Sequence, residues 1–165
     1  MRRFISLITA FRKALPDRLT VGFAAVLLSL AVVLVRLGRL SLWSRSLGTV
    51  RKDAAIIGSD SPLAAQPLAA ARRIGHQVER AAQHLPFTTK CLPRAMAVQW
   101  LLRLRGVPSS LAIAVHLHER SGDHAYHAWV ECGGVFIIGH CERALYRPVM
   151  FLDSAPRSAR RPALR

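Results

Sequence analysis

The chain has 165 residues, 52% of them hydrophobic, which is enough for one domain with a sizeable core and a helical appendage. Its 24 basic against 9 acidic residues give a formal charge of +15, and all the basic residues except Lys13, Lys52 and Lys90 are arginine. Binding to nucleic acid or an acidic membrane is one reading of that charge, but the arginines are scattered and not interleaved with aromatics, so an arginine-heavy composition spread over the whole chain is the expected one.

The three cysteines, Cys91, Cys132 and Cys141, form no CxxC pair and no repeated spacing. That argues against a secreted disulfide framework and gives a structural zinc site little support. A reducing cytoplasm is the expected setting, and it leaves Cys91 free as a thiol.

Residues 1–15 place Phe4, Ile5, Leu7, Ile8, Phe11 and Leu15 at near-helical spacing, with Arg2, Arg3, Arg12 and Lys13 towards the ends. Such a basic amphipathic helix suits a membrane surface or packing on the rest of the protein. Pro16-Asp17 breaks it, and Asp17 or Thr20 can cap the next helix. Thr20 to Val35 is the most apolar run, interrupted only by Thr20, Gly22 and Ser29 and ended by Arg36. It starts late for a secretory signal and no small-residue cleavage site follows closely. It is slightly shorter than the roughly 20 residues of a membrane span. The expected place is a buried helix of an N-terminal helical layer, with membrane association through this helix as the second reading. Leu37, Leu40, Leu42, Trp43 and Leu47 continue helically towards Gly48.

The polar stretch 51–61 ends in Gly58-Ser59-Asp60-Ser61-Pro62 and is the expected boundary. It divides an N-terminal helical region (1–57) from a core (63–153), and residues 154–165 read as a disordered basic tail. Leu63 to Leu85 is expected to be an alanine-rich helix with Ile74, Val78, Ala81, Ala82 and Leu85 on one face. His76 and His84 on it read as surface histidines.

Pro86-Phe87-Thr88-Thr89 ends that helix. The next begins at Cys91, because Pro93 is tolerated only in a first turn, and Gly106 and Pro108 close it. A thiol at a helix start meets free backbone N–H groups and the positive end of the helix dipole. Both lower its pKa from the ordinary value of about 8.5 and both can bind a developing oxyanion.

Residues 110–118 alternate, with Leu111, Ile113, Val115 and Leu117 on one face and Ala112, Ala114, His116 and His118 on the other. The small alanine face is expected to take close packing from the Cys91 helix. A second strand runs from about His124 to Cys132, with His127, Trp129 and Glu131 on one face. Gly133-Gly134 makes a two-residue hairpin turn into a third strand, Val135 to His140. A regular register then sets Trp129 opposite Ile138 and His127 opposite His140. Pro148 to Leu152 is a candidate last strand. His116 and His118 share a face, but spacing fixes no third ligand beside them, with His124 and His127 on another strand, so no metal is assigned.

Cys91 and His127 therefore sit on the element types that a thiol nucleophile and its base prefer. The thiolate would attack a carbonyl, and the imidazole would take its proton and later protonate the leaving amine. Trp129 either walls the cleft or fills core.

Several motifs occur in order: Cys91-Leu92-Pro93-Arg94-Ala95, Gln99-Trp100-Leu101-Leu102-Arg103, Gly106-Val107-Pro108, and His127-Ala128-Trp129-Val130-Glu131 before a glycine turn. Over about residues 63–152 the chain resembles the transglutaminase-like core of the lasso-peptide B2 proteins, the leader peptidases of lasso-peptide maturation. The resemblance implies an α+β, papain-like transglutaminase core, with the cysteine at a helix N-terminus packed on a small antiparallel sheet and a helical layer in front. It implies an ATP-independent cysteine protease needing no cofactor, which removes the leader from a ribosomally made precursor. The implied partners are the precursor peptide, a small leader-binding (B1, or recognition-element) protein and a separate lasso cyclase. By position, Cys91 matches the nucleophile and His127 the general base and acid.

The resemblance also implies an Asp near the end of the strand after the histidine strand, where this chain has Ile138-Gly139-His140. His140 is then the candidate orienter of His127, without a fixed negative charge. Asp153, Asp123 and Glu142 are further candidates, and a backbone carbonyl is another. A transamidase or deamidase of the same class, or a degenerate peptide-binding or membrane-associated scaffold, are the competing readings.

Overall fold

The computed structural model describes residues 17–38, 40–51, 65–119, 121–122 and 125–154. The expected helix over 1–15, the boundary near 57–63, the expected tail 154–165 apart from Ser154 (which is buried at the end of β5), Asp123 and His124 lie outside the described residues.

The helices are α1 (Asp17–Leu37), α2 (Leu40–Leu47), α3 (Ala65–His84) and α4 (Cys91–Leu104). The strands are β1 (Thr49–Arg51), β2 (Ser109–His116), β3 (Tyr126–Cys132), β4 (Val135–Ile138) and β5 (Tyr146–Ser154), the last entered through a short 3-10 turn over Arg143–Leu145. They form one antiparallel sheet in the order β1-β5-β2-β3-β4. The mixed helical and antiparallel architecture agrees with the expected transglutaminase-like core.

The α4 helix is the centre of the molecule. Ala95, Met96, Ala97, Val98, Leu101 and Leu102 are buried almost all round it, as befits a helix covered on every side. It packs on α1, α2 and α3 on one side and on β2, β3 and β4 on the other. The α3 helix offers it the buried stripe Ala71, Ile74, Val78 and Ala81, at intervals of three and four. A Cβ on Gly75 would stand 2.5 Å from the Ile137 carbonyl oxygen, so α3 approaches β4 as closely as it does only through a glycine. Buried Gln99 ties three elements to α4: its Nε2 donates to the Leu47 (3.2 Å) and Leu152 (2.8 Å) carbonyls, and its Oε1 accepts from the Ser109 hydroxyl (2.9 Å).

Two expectations need correction, and one strand was not expected. The helix ends at Leu47, just before the expected stop at Gly48, but the next residues form the edge strand β1, paired with β5 through Thr49↔Asp153 and Arg51↔Phe151. Gly48 makes the break with φ +154, where a Cβ would strike the Asp153 carbonyl, and a three-residue strand is too short to show a period.

The alanine face of β2 does not take the Cys91 helix. Leu111, Ile113, Ala128, Val130 and Leu152 face the helices, whereas Ala112 and Ala114 lie with Trp129 on the far face, beside Phe136, Cys141, Tyr146 and Phe151. Ala112 is the direct cross-strand partner of Trp129, and a small side chain there makes room for the indole.

The hairpin register is also interrupted. Cys132 pairs Val135 as expected, but Val130 pairs Ile138, because a bulge absorbs one extra residue on β4. The expected pairs Trp129 with Ile138 and His127 with His140 are therefore not formed.

Candidate active site

Cys91 is the first residue of α4. The helix starts there because Lys90 is extended (φ −81°, ψ 171°) and Pro93 fits a first turn, where its missing N–H is not needed. Lys90 gives this helix no side-chain cap, and the Leu92 backbone N–H in its first turn points to the Cys91 sulfur. The approach loop is held from the side: Arg94 donates from Nε to Thr89 Oγ1 (2.8 Å) and from Nη1 to Glu79 Oε2 on α3 (3.1 Å). Thr89 is itself buried, so this clamp fixes the residues that deliver the thiol.

His127 lies near the start of β3 and is half-buried. Its imidazole is hydrogen-bonded to the Cys91 thiol. Its Nε2 faces the Gly139 carbonyl oxygen at 3.1 Å. A carbonyl only accepts, so Nε2 carries the hydrogen and donates it, and Nδ1 is the nitrogen left for the thiol.

The electrostatics of the pair follow from these contacts. Burial pushes the Cys91 thiol up, but the His127 hydrogen bond and positive charge, with the backbone N–H groups of Ala128 and Leu92, outweigh it and hold the thiol below its ordinary value. His127 moves the opposite way. The Cys91 contact raises it, burial opposes, and the Gly139 carbonyl adds to the rise. Each partner favours the charged form of the other, which is the thiolate–imidazolium arrangement. The other cysteines do the reverse: burial pushes Cys132 up to about 12 and lifts Cys141.

Gly139 has φ +74, and a Cβ there would stand 2.5 Å from the Ala128 carbonyl oxygen and 3.0 Å from Trp129. Only glycine presents its carbonyl to His127 from this close. The His127 ring is bounded by Trp129 (centroids 6.2 Å, near-parallel) and Tyr146 (5.2 Å, tilted). Trp129 is buried and donates its indole N–H to Glu131, which also pairs with Arg143 at 2.9 Å. Tyr146 also meets His116 edge-on at 4.9 Å.

Of the candidate site residues, the structure brings Cys91 and His127 together. His140 is turned to Phe136, with centroids 5.3 Å apart, and the orienting position at Nε2 belongs to the Gly139 carbonyl. The bulge in β4 is the cause of this offset. Asp153 is bound elsewhere, by Ser110 Oγ (2.6 Å) and Arg51 Nε (2.9 Å), and Glu142 is exposed at the 3-10 turn. Two contributors were not singled out from sequence. Tyr146 sits just before the expected last strand, and its cross-strand pairing with His116 is what sets it on the histidine face. The Arg94–Glu79 contact joins two helices 15 residues apart, with no local signal.

A model of the transglutaminase-like superfamily matches residues 24–151, and the chain belongs to that superfamily. The match takes in about two-thirds of α1 and two-thirds of β5, so it spans the helical layer as well as the sheet. No curated protein and no solved structure matches the chain. A domain of this superfamily, which includes cysteine proteases, suggests a cysteine-peptidase-like function.

Proposed function

We propose that this protein is a cysteine peptidase that removes the leader from a ribosomally synthesised lasso-peptide precursor. The observation that carries the reading is the Cys91–His127 pair at the uncapped start of α4, with Nε2 held by the Gly139 carbonyl. The ordered motifs from Cys91 to Glu131, which resemble those of lasso leader peptidases, supply the substrate class.

In this reading His127 draws the proton from Cys91, and the thiolate attacks the carbonyl at the leader junction. The first-turn N–H groups of α4 are the donors available to the developing oxyanion. The imidazolium gives its proton to the leaving amine, and water then hydrolyses the thioester with His127 as base. The Gly139 carbonyl keeps the ring oriented, but it offers a partial charge where a carboxylate would offer a full one, so it stabilises the imidazolium less. The reading includes a leader-binding partner that presents the precursor, a separate cyclase that uses the product, and a cytoplasmic site of action.

The test is cleavage of a synthetic lasso-peptide precursor carrying its leader, with a leader-binding protein present, followed by product mass. Hydrolysis at the leader junction is expected, and Cys91→Ala should lower the rate by about a thousandfold or more. Full cleavage by Cys91→Ala would overturn the reading. A product carrying an amine in place of water would assign the domain to transamidation.

A non-catalytic peptide-binding scaffold is the second reading, because among the described residues no carboxylate is bonded to His127. A scaffold would keep its binding unchanged in Cys91→Ala, with no cleavage in either protein.

A further inference from the structure

The two faces of α1 differ in what covers them. Ala24, Leu28 and Ala31 are fully buried against the helical core, and α1 packs on α3 and α4. At 100° per residue the opposite face is the row Leu19, Phe23, Val26, Leu30, Val33 and Leu37. All six are exposed, from 46% at Phe23 and Leu30 to 84% at Leu37. Their intervals alternate strictly between four and three, and the row runs about 27 Å. The only other exposed residues from Leu19 to Leu37 are Gly22 and Arg36. An uninterrupted apolar stripe of this length is not an ordinary water-facing surface.

Charge says what fits it. The first 52 residues hold ten Lys and Arg and a single acid, Asp17. Arg18 precedes the stripe, exposed Arg36 and then Arg39 flank its far end, and Arg2, Arg3, Arg12 and Lys13 lie upstream. An apolar face about one helix wide, framed by cations, is the composition that binds an anionic lipid surface. The stretch Leu19–Leu37 is long and apolar enough to cross a membrane by length and composition. Crossing is opposed by the buried face, because inserting α1 would strip Ala24, Leu28 and Ala31 from the core or drag in α3 with its exposed Arg72, Arg73 and Arg80.

We infer that α1 docks this protein peripherally on an anionic bilayer, with the helix lying in the plane of the surface and Leu19, Phe23, Val26, Leu30, Val33 and Leu37 immersed. The inference stands apart from the catalytic reading, since the stripe contains no residue of the candidate active site.

The test is flotation of the full-length protein with vesicles of phosphatidylcholine containing about one-third phosphatidylglycerol, beside vesicles of phosphatidylcholine alone. The wild type should float with the anionic vesicles and about tenfold less with the neutral ones. Val26→Asp with Leu30→Asp should lower binding to anionic vesicles at least about tenfold while melting as the wild type does. Val26→Ser with Leu30→Ser replaces it should the acidic variant melt early. A full-length chain that stays at the bottom of the gradient overturns the inference, including the case in which a second copy or residues 1–16 cover the stripe. Equal flotation with both vesicle types, or equal flotation of wild type and stripe variant, also overturns it.

Discussion

His127 depends on an atom that no side chain provides. The Gly139 carbonyl accepts from Nε2, and the backbone reaches that place only with φ +74 and no Cβ. Gly139→Ala adds left-handed strain of about 1–2 kcal/mol and a methyl group 2.5 Å from the Ala128 carbonyl oxygen. The carbonyl must shift, and His127 loses its fixed tautomer. Leader cleavage by Gly139→Ala should fall at least about tenfold, whereas His140→Ala should cleave at close to the wild-type rate, since His140 packs on Phe136. Wild-type cleavage by Gly139→Ala would return the orienting role to a side chain. The motifs around Cys91 and His127 were legible because cysteine, proline, histidine and glycine each have few uses at a helix start or a strand end. The carbonyl was not, since every residue has one and only the bulge decides which is aimed at the ring.

At the scale of elements, α4 is held by polar bonds as well as by its apolar surface. Gln99 closes off the Leu47 and Leu152 carbonyls and the Ser109 hydroxyl inside a site with no solvent contact. Gln99→Leu keeps the volume but takes the amide from the Leu47 and Leu152 carbonyls, while the Ser109 hydroxyl keeps Ser154. It should cost about 2–3 kcal/mol, read as a lower midpoint in urea with an unchanged slope. A loss below about 0.5 kcal/mol would mean that water or a backbone shift replaces the amide. The ends of α4 and the Gly133-Gly134 turn follow from proline and glycine, so these elements could be placed from sequence. The face assignment of β2 could not. Alternation separates Leu111 and Ile113 from Ala112 and Ala114, but it does not say which side the helices cover. Trp129, pairing with Ala112, settles that from another strand.

Across the whole molecule, the helical layer and the sheet share one core. The α1 helix contributes Ala24, Leu28 and Ala31 to the cluster that also holds Ile74, Leu102 and Leu152, and β1 pairs with β5 at one edge of the sheet. Removing residues 1–38 should uncover the apolar faces of α3 and α4. The expected result is a chain that loses cooperative thermal unfolding and binds a hydrophobic dye. A truncated chain that melts cooperatively near the full-length midpoint would show that residues beyond 38 fold by themselves. The apolar run of α1 was plain in the sequence. Its division into a buried seam and an exposed stripe was not, because Ala24, Leu28, Val26 and Leu30 are all apolar and only the packing of α3 and α4 tells them apart.

The pairing of Cys91 with His127 is tested most directly by the pH dependence of iodoacetamide alkylation, followed at each cysteine by peptide mass. Alkylation follows the thiolate, and the imidazole lowers the Cys91 thiol while burial raises it. Cys91 should therefore react with a midpoint below the ordinary thiol value of about 8.5, ahead of Cys141 and far ahead of Cys132, both of which are raised. In His127→Ala only burial and the backbone N–H groups remain, so the Cys91 midpoint should rise. A Cys91 midpoint at or above that of Cys141, or one that His127→Ala leaves in place, would contradict the account.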